Sequence, residues 1–202
     1  MIFVNKWQEK YAGLIFDCDG TLIDSMPAHY VAWYTVMEKH GIEFPEDRFY
    51  ALGGVPIKNI IELLANEAGK TLDIDQVAEE KENMFIEKMK DEAAPVKEVV
   101  EIAKQNLGVL PMAVASGSAN WAIEIELKQF GIYDWFDAIV GCDDVVKHKP
   151  EPDVFLEAAR RIGVDPRKCC AFEDSDIGIR AARSAGMDVI DVRELRKNSK
   201  PE

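Results

Sequence analysis

Short apolar segments alternate with longer helix-period stretches through the second half of this 202-residue chain, and that alternation does most to restrict its fold. Met112–Ala115, Ala138–Val140, Cys169–Phe172 and Val189–Val192 each read as a buried strand. Asn120 to Phe130, Asp153 to Ile162 and Ser175 to Ala185 lie between them with helical spacing, and Pro95 to Gln105 precedes the first strand of the set. Gly131, Gly163 and Gly186 stand where these helices should stop, because glycine takes the left-handed closing conformation without strain. Apolar strands linked by helices argue for a parallel sheet covered on both faces.

An earlier strand, Gly13-Leu14-Ile15-Phe16, leads into a different region. Pro27 to Glu92 shows helical patterns and almost nothing strand-like. One helix begins near Pro27 and ends at Gly41, and Ile57 to Ala68 and Asp75 to Met89 supply two more. Trp33, Tyr34, Met37, Met84 and Phe85 are expected to be the core of this insert. The expected architecture is α/β: a Rossmann-like, doubly wound parallel sheet with a small all-helical cap domain inserted after the first strand. Residues 1–25 and 93–202 form the core and 26–92 the cap, with hinges near Asp24-Ser25-Met26 and Asp91 to Pro95. Arg196 to Glu202 is expected to be a frayed tail.

Composition narrows the function. A net charge of −13 repels phosphate backbones, so nucleic acid is not an expected partner. No apolar run approaches the ~20 residues of a membrane span, and Met1 to Trp7 lacks the order of a signal peptide. Cys18, Cys142, Cys169 and Cys170 have no framework spacing and read as reduced thiols of a cytoplasmic protein. A monomer is the expected state.

In an open parallel sheet, ligands bind beyond the carboxyl ends of the strands. Four polar clusters fall there: Asp17 and Asp19, Ser116-Gly117-Ser118, Lys147-His148-Lys149-Pro150, and Glu173-Asp174-Ser175-Asp176. Gly20 permits the turn that lifts Asp19 off the strand end. Two acids so close are costly unless a cation lies between them or one holds a proton. Such a set supplies oxygen ligands for a hard cation, of which Mg2+ is well suited, together with a hydroxyl and a lysine for an anion and a nucleophilic carboxylate. Asp-x-Asp-Gly alone would also suit a turn or a calcium loop, Ser116 a helix cap, Lys149 a solvated lysine, and Asp176 a first-turn helix acid. Cys18 should point away from the acids and pack.

In these four segments, taken in order, the chain resembles the haloacid-dehalogenase-like (HAD) phosphohydrolases over essentially its whole length. Within them it looks like the β-phosphoglucomutase-like subgroup, and most like the sugar phosphatases typified by fructose-1-phosphate or 6-phosphogluconate phosphatase. The stretches Val146 to Pro150 and Phe172 to Val192 carry that closer match. The resemblance implies a Mg2+-dependent phosphatase for a small phosphorylated sugar or sugar acid. Asp17 would attack phosphorus and form an aspartyl phosphate. Asp19 would protonate the leaving alcohol, later deprotonate water, and offer its backbone carbonyl to the metal. Ser116 would bind a phosphoryl oxygen with the following N–H groups, including that of Gly117. Lys149 would offset charge, and Asp174 would hold Mg2+ with Glu173 as a further ligand or a supporting acceptor.

Asp19 argues against a true dehalogenase and a phosphonate hydrolase, and Pro56 stands where the latter's cap lysine would be, with Lys58 out of register. The closer alternative is a β-phosphoglucomutase. It would need a cationic grip on a second phosphate, but Ile57 and Ala119 occupy those two places. A non-catalytic sugar-phosphate-binding module is a further alternative, and the intact acid pair weighs against it. Ser118 and Asn120 could bind sugar hydroxyls. The cap loop Gly53-Gly54-Val55 should help to choose the substrate, and His29 is either a group that tunes Asp19 or a packing residue.

Overall fold

The structure, a computed structural model, describes residues 7–53 and 55–198. Five strands form one sheet: β1 (Gly13–Phe16), β2 (Met112–Ala115), β3 (Ala138–Val140), β4 (Cys169–Glu173) and β5 (Asp188–Asp191). Their order is β3-β2-β1-β4-β5 and every neighbouring pair is parallel. Successive strands are added on one side of β1 and then on the other, a switch of strand order that places a crevice beyond the carboxyl end of β1. The register sets Phe16 between Val114 and Phe172, so the residues that follow β1, β2 and β4 emerge almost level. All residues of β1, β2 and β4 are buried, as two-sided covering by helices requires. The helix Asp153–Arg161 turns Val154, Phe155, Ala158 and Ala159 onto the sheet, against Ile15, Ala113, Val140 and Ala171. Gly131, Gly163 and Gly186 follow their helices with φ of 68°, 71° and 84°, the conformation anticipated for them.

The chain divides into two compact units. One runs to Asp24 and resumes at Pro95, where the Val96 N–H donates to the Leu22 carbonyl at 2.9 Å. The other is Ser25–Ala94, and its secondary-structure elements among the described residues are helices until the strand residue Ala94. Its helices are Met26–Lys39, Glu46–Ala51, Ile57–Glu67 and Ile74–Glu92. Trp33, Met37, Phe44, Ile61 and Val77 make one cluster there, and Ala28, Ala32, Phe85 and Met89 a second. Tyr34 instead faces solvent at 46% exposure, one residue off the buried stripe.

Most boundaries shift by a residue or two, and three differences bear on the fold. Val192 does not end β5; it opens a helix, Val192–Asn198, in which Arg196 pairs with Asp24. The expected fraying from Arg196 therefore does not begin there, and residues 199–202 lie outside the described residues. The last cap helix runs on to Glu92 through a polar turn that carries no apolar signal. Among the described residues no helix is long and apolar enough to cross a membrane.

Candidate active site

Asp17 is the first residue past β1, and its N–H donates to the Phe172 carbonyl at 3.0 Å. That bond continues the β1–β4 ladder by one step and brings Asp17 alongside the end of β4, where Glu173 and Asp174 lie. The three acids offer carboxylate oxygens all within 4.8 Å of one another. Lys149, from the loop before the helix Asp153–Arg161, places Nζ 2.7 Å from Asp17 Oδ1 and 2.8 Å from Glu173 Oε1. Its ammonium also stands 5.0 Å from the centre of the buried Phe155 ring, so one side of it is dry.

The electrostatics follow from that crowding. Burial pushes the Asp17 carboxyl well above its ordinary value; Lys149 opposes this, and Glu173 and Asp174 add to it. Asp174 is pushed up to about 6, first by burial and then by the charge of Glu173. Burial alone would lower Lys149, but the Asp17 and Glu173 carboxylates outweigh it and hold the amine above its usual range. Three carboxylates thus converge on a single ammonium, an excess of acid that an added cation would relieve. Hard carboxylate oxygens in such a cluster fit Mg2+.

The two β4 acids are used differently. Both oxygens of Glu173 are engaged: Oε1 by Lys149, Oε2 by the Ser175 N–H at 2.7 Å and the Ser175 hydroxyl at 2.9 Å. Gly178 makes the room, because a Cβ there would collide with this carboxylate. Glu173 is thus arranged to orient Lys149, the supporting role that was one of its two expected uses, while it also belongs to the acid group that could hold a metal ion. Asp174 accepts a bond from Thr21 Oγ1 at 3.2 Å. A Cβ on Gly20, whose φ is +80°, would overlap its carboxylate. Thr21, Ser175 and Gly178 were not singled out from sequence, although Thr21 and Ser175 belong to the same two polar runs.

Ser116 is buried and its Oγ accepts the Ser118 N–H at 3.0 Å; Gly117 between them is exposed. Ser118 directs its hydroxyl to Asp19 Oδ2 at 2.6 Å. Asn120 donates Nδ2 to Asp144 at 2.8 Å and its N–H to Asp143 at 2.9 Å, which ties it to the loop after β3, while its Oδ1 is buried without a hydrogen-bond partner among the described residues. His29 lies in the helical unit, stacked on Phe85 with ring centres 3.8 Å apart and Nδ1 3.0 Å from Lys81 Nζ, a buried lysine that sequence did not flag. Gly54 lies outside the described residues. Cys18 is fully buried, and Asp176 pairs with Arg193 at 2.8 Å in the first turn of its helix.

A family model described as haloacid dehalogenase-like hydrolase matches residues 14–192. The chain is 42% identical over 187 residues to fructose-1-phosphate phosphatase YqaB of Escherichia coli (strain K12), covering 93% of this chain and 99% of that one. It is 34% identical over 181 residues to a phosphorylated carbohydrates phosphatase of Thermotoga maritima, covering 88% of this chain and 82% of that one. Among solved structures, the β-phosphoglucomutase of Clostridium difficile superposes with a TM-score of 0.75 at 26% identity, covering 93% of this chain and 88% of that one. With the polar clusters in place at the carboxyl ends of β1, β2 and β4, these matches show that the chain belongs to the haloacid dehalogenase-like hydrolase family.

Proposed function

We propose that this protein hydrolyses a small phosphorylated sugar or sugar acid through an aspartyl phosphate on Asp17. The chain is a phosphoric monoester hydrolase, as its relatives' named activities support. The observation that carries the reading is Lys149, buried and bonded to Asp17 and Glu173, with Asp174 completing the cluster.

Asp17 Oδ2 attacks phosphorus while Oδ1 stays on Lys149, which keeps the nucleophile turned and holds its charge in check. Ser116 and the N–H groups that follow it bind the phosphoryl oxygens. Asp19 gives a proton to the leaving alcohol and takes one from the water that frees Asp17. Glu173 keeps Lys149 in place. Asp17, Asp174 and the Asp19 carbonyl would hold Mg2+, which when bound supplies positive charge to the transferring phosphoryl group. The free thiols of this chain favour a reducing compartment, the cytoplasm.

The mutase alternative lacks its grips. Ile57 opens a cap helix and Ala119 precedes the helix Asn120–Gln129, and neither offers a cation to a second phosphate. Phosphate release from a panel of sugar monophosphates, with and without EDTA, tests the proposal. EDTA-sensitive release that Asp17→Asn abolishes is the expected result. Release that survives EDTA, or conversion of β-glucose 1-phosphate to glucose 6-phosphate in place of release, overturns it.

A further inference from the structure

Each polar group of Ser118 has a partner. Its hydroxyl lies 2.6 Å from Asp19 Oδ2. Its N–H donates to Ser116 Oγ at 3.0 Å, and its carbonyl accepts the Cys142 N–H at 2.9 Å. The last bond joins it to the loop after β3, which is itself anchored. There Asp144 accepts from Asn120 Nδ2 at 2.8 Å, from the Gly141 N–H at 3.1 Å and from Arg161 Nη2 at 2.5 Å. The approach of the two loops leaves Gly141 no room for a side chain. A Cβ there would stand 2.7 Å from the Ser118 carbonyl oxygen and 2.8 Å from the Asn120 nitrogen. Its φ of −104° suits any residue, so space alone selects glycine.

We infer that Ser118 is a positioning residue for Asp19, with the Gly141–Asp144 loop holding Ser118 in place. The inference rests on the role given to Asp19 above. A carboxylate on a turn can rotate about two torsions, and proton transfer depends on its reach to the leaving oxygen. One short hydroxyl bond to Oδ2 removes most of that freedom. The bond survives both protonation states of Asp19, since a hydroxyl donates and accepts. The rigid loop behind Ser118 matters because small displacements of a reacting group cost rate steeply. A hydroxyl whose proton goes to Asp19 keeps only acceptor capacity for a sugar, the use expected for it from sequence.

The test compares kcat/KM for phenyl phosphate and 4-nitrophenyl phosphate, which share a ring and carry no sugar hydroxyls. 4-Nitrophenolate departs without a proton, whereas phenolate depends much more on a general acid. Ser118→Ala should lower kcat/KM for phenyl phosphate by about 10-fold or more, and for the nitro ester by under about 3-fold. Ser118→Thr, which keeps the hydroxyl, should recover most of the loss. Equal losses on both esters, or none on either, overturn the inference. A double-mutant cycle decides it on any monoester that is turned over. In an Asp19→Ala background, Ser118→Ala should change kcat/KM by less than about 2-fold, and independent, multiplying losses overturn the inference. Wild-type protein that releases phosphate from no monoester removes the phosphatase reading itself, and this inference with it.

Discussion

No side chain fits at Gly178, because the Glu173 carboxylate fills the place where its Cβ would stand. Gly178 is inside the helix Asp176–Ser184, where Gly→Ala normally stabilises by roughly 0.5–1 kcal/mol. The opposite is expected here. Glu173 is buried and pinned by Lys149 and Ser175, so it cannot swing away without giving up those bonds. Gly178→Ala should cost about 1–3 kcal/mol in urea unfolding and lower phosphate release. A more stable and fully active variant would contradict the packing.

Glu173 and Asp174 should separate in their effects on metal and rate. Glu173→Ala leaves Lys149 with Asp17 alone and should lower kcat by about 10²-fold, the scale of a displaced reacting group. Mg2+ affinity should fall less than in Asp174→Ala, as titration calorimetry of the two variants would measure. Equal losses of affinity would make Glu173 a metal ligand as well.

Mg2+ should stabilise the fold in a pH-dependent way. The Asp174 carboxyl is raised from 3.8 to about 6, so without metal this group's contribution to stability falls as pH rises through that interval. Asp17 acts in the same sense. An ion that needs both acids ionised binds better once they are. The gain in Tm from added Mg2+ should therefore be larger near about pH 7.5 than near about pH 5, and Asp174→Asn should remove most of it. Differential scanning fluorimetry at the two pH values checks this, and equal gains would refute it.

The thiols should react unequally. Burial pushes Cys169 up to about 11 and Cys170 up to about 12, and Cys18 is also raised and fully buried. Cys142 alone is partly exposed. Iodoacetamide at neutral pH should modify Cys142 in the native protein and all four cysteines after denaturation, as peptide mass spectrometry would show. Native labelling at Cys170 would mean that β4 opens.

The sheet was largely legible because its strands are short, apolar and bounded by glycine-closed helices, a pattern in which local sequence and burial agree. The helix Glu46–Ala51 was not, since six residues are too few for a period to emerge. The apolar run Val189–Val192 extends the expected strand to Val192, although the chain turns into a helix there. Residue type and approximate helical spacing point to Tyr34 as core, and one step of 100° from Trp33 puts it in water.

The chemistry divides along the same line. Sequence by itself determined which residue types stand at the strand ends and in what order, because hydrophobic period and turn residues are written locally. It also put the apolar Ile57 and Ala119 at the two places where the family resemblance would put a cationic grip on a second phosphate. Only the tertiary structure decided which groups meet: Lys149 with Asp17, 132 residues apart, and Ser118 with Asp19, 99 residues apart. It turned Glu173 toward Lys149, gave Asn120 to Asp144, and joined Ser118 to Asp19. Hydrogen bonds between distant segments depend on sheet register and on clearances such as those at Gly141 and Gly178, and no local periodicity encodes either.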